Sequence, residues 1–386
     1  MKPSSRAVHA GRDLVARSPL APDLSPAAVQ VYTDLDDYDA VAKGERPGHY
    51  YGRNSNSNRE MLEKAVAELE GAEAGLATAS GMAALHGAML ALAPRPATIV
   101  ATREVYGGTM ALLRQDFEPA GYEVNFIDLA DLDAVRRALD GAGLILAETI
   151  TNPLCRVPDL QAIAAMATEC GVPLIVDNTF ASPILCRPLE LGATAVMHSV
   201  TKYIGGHSDL VAGVAVGSAQ AIGAARARSV RTGTNLGPFD AWLALRGLRT
   251  LDLRMRRHSD NSLALAHAMQ RMPGVARVHH PLLEGSPSFA VARRLLPQGA
   301  GGMMAFDLGG GRPAVQRMLT RFRLVTFAAS LGGVETTISY PEITSHRSLL
   351  PRERAELGVT PGTVRVSVGI EDADDIIADF AQALAS

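Results

Sequence analysis

The stretch His198-Ser199-Val200-Thr201-Lys202-Tyr203-Ile204-Gly205-Gly206-His207-Ser208-Asp209 decides the reading of this chain. It is a short polar run that follows an apolar one. Two hydroxyl residues stand just before Lys202 and a glycine pair just after. A lysine so placed can form an imine with an aldehyde, the hydroxyls can bind a phosphate, and the glycines let backbone come close. The bland alternative is a surface lysine in a Ser/Gly loop.

Outward from Lys202, short apolar runs alternate with helical patterns. Residues 97–101, 121–127, 143–147, 172–176, 193–197 and 211–216 read as strands. Residues 132–139 and 160–170 read as helices, the second stopped by Gly171. This predicts an α/β fold with a parallel sheet covered on both faces. In such sheets ligands sit at the carboxyl ends of the strands, where Glu148, Asp177 and Ser199 fall. Ser57-Asn58-Arg59-Glu60 reads as a capping box opening a helix that Gly71 ends. Residues 1–58 lack periodicity and read as an arm that needs another surface to pack on. A long helical stretch over 242–272 leads into shorter elements at 303–308, 313–322, 364–368 and 374–384. The expected division is an arm (1–58), a large cofactor-binding domain (59–247) and a small C-terminal α+β domain (248–386). Gly309-Gly310-Gly311 reads as a tight turn, because no dinucleotide fingerprint surrounds it.

The composition narrows the function. The chain has 386 residues, 47% hydrophobic and 20% charged, so it can bury a large core. A net charge of −3 argues against nucleic acid or an acidic membrane surface as partner. Arg254, Arg256 and Arg257 cluster, but helical spacing is expected to spread them around a solvated face. Three cysteines, Cys155, Cys170 and Cys186, fit a reducing compartment better than a disulfide framework. No Cys/His grouping has metal-ligand spacing, and the adjacent His279 and His280 read as loop residues; no metal is expected. With neither a signal peptide nor a membrane-length apolar run, the expectation is a cytoplasmic protein.

Several residues carry chemistry by type and place. A carboxylate at a strand end, Asp177, can keep a pyridine nitrogen protonated and so make the ring an electron sink; the alternative is a helix N-cap. Ser80-Gly81-Met82 opens an Ala-rich helix whose free amides suit a phosphate, joined by Ser199 and Thr201. Tyr106 offers a ring to stack on a flat cofactor, or is a packed core tyrosine. Arg365 is a lone arginine in an apolar run, satisfied either by a substrate carboxylate or by a structural salt bridge.

Together these residues resemble the Cys/Met-metabolism family of pyridoxal-phosphate enzymes, which includes cystathionine γ-synthase, cystathionine γ-lyase, methionine γ-lyase and homoserine-ester sulfhydrylases. The resemblance runs from Tyr51 to Glu371. It implies an aspartate-aminotransferase-like (fold type I) architecture and pyridoxal 5'-phosphate as cofactor. The implied assembly is a homotetramer of dimers with shared active sites. Lys202 matches the cofactor-bearing lysine and proton shuttle, and Asp177 the pyridine partner. Tyr106 matches the stacking tyrosine that also helps proton transfer. Ser80, Gly81, Met82, Ser199 and Thr201 match the phosphate cup. Tyr51 and Arg53 match residues that reach a neighbouring subunit's phosphate. Asn152 matches an asparagine near the ring hydroxyl and substrate, Arg365 the carboxylate clamp, and Ser330 a backbone contact to the same carboxylate.

The chain departs from the family pattern in places. Asn56-Ser57-Asn58 replaces the usual Asn-Pro-Thr, and Ile150 a common proline. Ala329 stands where the cystathionine enzymes commonly carry a glutamate. Gly108 stands where the methionine γ-lyases carry a cysteine. The implied activity is γ-elimination or γ-replacement on a γ-substituted L-amino acid. One alternative is a specialised γ-lyase acting on an unusual γ-substituted amino acid to give an unsaturated product. Another, outside enzymology, is a non-catalytic cofactor-binding protein.

Overall fold

The computed structural model describes residues 1–12, 19–93 and 95–385. Seven strands form the larger sheet: β1 Ala74–Thr78, β2 Thr98–Thr102, β3 Glu123–Ile127, β4 Ala142–Glu148, β5 Leu174–Asp177, β6 Ala195–Ser199 and β7 Gly213–Gly217. Their spatial order is β1-β7-β6-β5-β4-β2-β3. The sheet is mostly parallel but not wholly so, because β7 runs antiparallel to both β6 and β1. The reversal has a short-range cause: only the Lys202 loop joins β6 to β7, with no crossover helix to bring the chain back.

Side chains alternate between two cores. On β4, Leu144 and Leu146 enter one cluster while Ile145 and Ala147 enter the other. On β5 and β6, Ile175, Ala195 and Met197 join the first, and Val176 and Val196 the second. Helices Gly81–Leu92 and Ala219–Thr232 cover the first face; Ser57–Glu70, Leu132–Leu139, Leu160–Glu169 and Pro238–Leu248 cover the second. A sheet covered on both faces needs apolar residues at nearly every strand position, which is how these runs read.

A second sheet holds β8 Val275–His279, β9 Met303–Leu308, β10 Thr326–Phe327, β11 Thr337–Ser339 and β12 Thr363–Ser367, in the order β10-β11-β12-β9-β8. Helices Leu251–Met269 and Ala373–Leu384 pack on it through Leu265, Met269, Ile376 and Phe380.

Several local readings need correction. Residues 1–58 are not uniformly irregular: Pro3–His9 and Leu35–Ala42 are helices, the second capped by Asp34. Ala7 and Ala10 are buried in the chain's own core. The helix of residues 57–70 is capped by Asn56, whose side chain accepts from the Asn58 and Arg59 amides, rather than by Ser57. The long stretch over 242–272 is two helices, Pro238–Leu248 and Leu251–Met269, broken at Arg249-Thr250. His279 ends β8 and so is not a loop residue, while His280 follows it outside any helix or strand and is buried.

Arg254 does not face solvent. It is buried and donates to the carbonyls of Tyr203 (2.6 Å), Gly247 (2.8 Å) and Ile204 (3.3 Å). The helix turns this one arginine of the cluster inward, where two loop carbonyls and one near a helix end need a donor.

Candidate active site

Strand alternation builds the site. Glu148, Asp177 and Ser199 end adjacent strands β4, β5 and β6, and each continues the odd or even set that faces the helix Gly81–Leu92. His198 and Asn178 fall in the opposite set and point the other way. There Glu70 accepts from Asn178 (2.8 Å) and bonds His198 Nε2 (2.7 Å), closing a buried polar network beneath the site.

The cavity at these strand ends has a volume of about 380 Å³. Of the residues singled out in the sequence, Ser80, Gly81, Met82, Tyr106, Asn152, Asp177, Ser199, Thr201, Lys202, Ser330 and Arg365 all line it. Tyr51 and Arg53 do not. Tyr51 is exposed, and Arg53 lies over its ring and donates to Val230 O at 2.5 Å.

The end of the cavity at the start of the helix Gly81–Leu92 is a tight cradle. Ser80 caps the helix Gly81–Leu92 by accepting the Ala83 amide at 3.2 Å. A Cβ on Gly81 would stand 2.9 Å from Ser199 Cβ, so only glycine lets this helix start touch β6. Ser199 Oγ has no protein partner among the described residues. Thr201 Oγ1 exchanges bonds with the Ala212 backbone at 3.0 and 3.2 Å.

Lys202 is half-buried, with Nζ donating to Ser330 Oγ at 3.2 Å. Burial, and then the Arg365 guanidinium, bring its ammonium down to about 8. A base near neutrality is the form needed for imine formation and for taking a carbon-bound proton. The surface-loop alternative for Lys202 is therefore excluded.

Asp177 is not a helix N-cap. Its Oδ1 accepts the Thr179 amide at 2.9 Å in a turn, and the next helix begins only at Ser182. Burial raises its proton affinity, while Thr179 and His198 oppose the rise. Arg365 makes no salt bridge: it donates to Asn152 Oδ1 at 3.0 Å and to Ser330 O at 3.3 Å, and among the described residues no carboxylate pairs with it. A buried cation with neutral partners is suited to an anionic ligand. Tyr106 is 42% exposed on the cavity wall, so it is not a core tyrosine.

Three contributors were not assigned a site role from the sequence. Glu148 is buried and accepts the Tyr106 N–H at 2.7 Å. His346 is buried against Asn152, and burial, then Arg365, hold its imidazole near about 4. Arg254 pins the loop just after Lys202. Only Glu148 carried a signal, its place at a strand end; the others depend on long-range contacts.

The residues present fit pyridoxal phosphate. A reactive amine, a buried carboxyl, a glycine-lined cradle and a free arginine share one cavity of suitable size.

Known proteins resemble the chain throughout. It is 39% identical to L-methionine gamma-lyase from Pseudomonas putida over 385 residues, covering 99% of this chain and 96% of that protein. It is 40% identical to cystathionine gamma-lyase from Bacillus subtilis over 362 residues, covering 92% and 94%. The solved structure of cystathionine gamma synthase from Xanthomonas oryzae pv. oryzae in complex with cystathionine superposes with a TM-score of 0.93 at 36% identity, covering 100% of this chain and 98% of that one. The sequence profile of the Cys/Met metabolism PLP-dependent enzymes matches residues 5–385, and the chain belongs to that family.

Proposed function

We propose that the chain carries out γ-elimination or γ-replacement on a γ-substituted L-amino acid. The observation that carries this reading is the convergence of Lys202, Asp177 and Arg365 on one cavity. Pyridoxal phosphate, when bound, supplies the electron sink that stabilises a carbanion next to the amino group. Arg365 clamps the substrate α-carboxylate, assisted by Asn152 and the Ser330 backbone. Lys202, easily deprotonated, takes the Cα proton. Asp177 keeps the ring nitrogen protonated. Tyr106, on the open wall, hands a proton to the departing γ-group. The cradle of Ser80, Gly81, Met82 and Ser199 holds the phosphate, with Thr201 beside it. Tyr51 and Arg53 lie away from their own cavity, which supports their serving a neighbouring subunit in a homotetramer of dimers. Three free thiols support a reducing, cytoplasmic setting. Among the described residues no helix is long and apolar enough to cross a membrane.

A specialised γ-lyase is the second reading, favoured by Ala329, which lines the cavity without a charge. Purified protein is assayed with a panel of γ-substituted amino acids for ammonia and 2-oxo acid, and products are identified by mass. Turnover of at least one supports the proposal, and its loss in Lys202→Ala assigns the base. A cofactor-loaded protein inert towards the whole panel, with and without added thiols, overturns it. A strong preference for cystathionine would remove the specialised reading.

A further inference from the structure

Glu148 and Asp177 stand directly opposite each other in the register of parallel strands β4 and β5. Neighbouring strands lie about 4.8 Å apart, and the alternation described above turns both side chains to the same face. Both line the cavity, and Glu148 is 5% exposed. Two carboxylates so placed cannot both ionise cheaply. We propose that Glu148 is a positioning residue that carries a proton in the working site, leaving Asp177 as the charged member of the pair.

The surroundings of Glu148 decide which carboxyl keeps the proton. From the segment after β2, Tyr106 N–H donates to Glu148 Oε1 at 2.7 Å. From its own loop, the Asn152 backbone opposes the rise in the carboxyl's proton affinity, as Tyr106 does. Glu104 faces it too, but is itself ion-paired with Arg156 at 2.7 Å. Arg365 from β12 and Lys202 share the cavity, yet neither makes an ion pair with Glu148. Burial first, and then Asp177, push the Glu148 carboxyl well above its usual range. Asp177 has the better claim to the charge, since it holds Thr179 and has His198 on its far side.

A neutral carboxyl can still do two jobs. One oxygen accepts from the backbone of Tyr106, fixing the segment that presents the stacking ring. The other oxygen keeps an O–H, so the cavity floor holds one negative charge rather than two. A second charge there would raise the proton affinity of Asp177. This assignment rests on Asp177 being the ring partner, which is judged separately by whether Asp177→Asn loses bound pyridoxal phosphate.

The test uses the cofactor-loaded protein near pH 8. Infrared spectra of protein made with isotope-labelled glutamate should show a protonated-carboxyl C=O band that shifts with the label and disappears in Glu148→Gln. The pH dependence of the bound cofactor's absorbance should be displaced by less than about half a pH unit in Glu148→Gln, because an amide reproduces the neutral form. A labelled parent without such a band overturns the proposal, as does a displacement of about one unit or more in Glu148→Gln. If the variant does not fold, a labelled-parent band that survives Glu104→Gln supports the proposal, and one lost with Glu104 overturns it.

Discussion

Lys202 Nζ lies 3.2 Å from Ser330 Oγ, and the Ser330 carbonyl in turn accepts from Arg365. Lys202 and Arg365 therefore share one contact residue. This places a fixed positive charge beside the amine and helps bring it down to about 8. In cofactor-free protein, reductive trapping of a small aldehyde on Lys202 should rise with a midpoint near pH 8. Arg365→Gln removes the like charge and should move that midpoint upward. The linkage has the opposite sign to that of a salt-bridged lysine. Between about 8 and the unfolded value of about 10.4 the unfolded chain binds the extra proton. Cofactor-free protein should therefore gain stability as pH rises through that window. Lys202→Met should flatten the slope in denaturant titrations.

Arg254 acts from outside the cavity. Its three carbonyl acceptors tie residues 203–204 to the end of the helix Pro238–Leu248. Arg254→Ala leaves those carbonyls buried without a donor and should cost about 3 kcal/mol or more. Urea unfolding measures the loss. Cofactor affinity should fall with it, because the Lys202 loop loses its anchor.

Ala329 offers the distal end of a substrate no charge. Ala329→Glu should improve kcat/KM for substrates with a distal ammonium by roughly tenfold, the equivalent of a charge-assisted bond of about 1.5 kcal/mol. Competing cystathionine against an uncharged γ-substituted amino acid in both proteins reads the change. An unchanged ratio would show that position 329 does not meet the distal group.

Arg53 bonds Val230 on its own chain and does not enter its own cavity. If it serves a neighbour, Arg53→Ala and Lys202→Ala subunits should complement. Each homo-oligomer would be inactive or weakly active. Assemblies refolded from an equal mixture should regain about a quarter of parental activity, from sites where both good residues meet. Activity of the unmixed variants provides the baseline.

Much of the site was legible because its chemistry is local in sequence. Ser199 ends β6 and Thr201 and Lys202 follow at once in the next loop, Ser80 to Met82 sit at one helix start, and Asp177 at the end of an apolar run. The helix of residues 132–139 and strand β9 also match their sequence readings at both ends. The break at Arg249-Thr250 was not legible, since helical periodicity runs across it. Neither was the antiparallel placement of β7, because a strand's direction depends on how the chain returns and not on its own residues.

The order of residues alone determined which groups are present at the strand ends and that alternate positions share a face. That follows from the two-residue repeat of a strand, a property of the backbone. Only the tertiary structure decided that Arg365 goes without a carboxylate, that Arg254 turns inward and that Glu148 stands beside Asp177. Each depends on chain segments far apart in sequence being packed together. Burial then sets the energy of a charge, and burial exists only once the chain has folded.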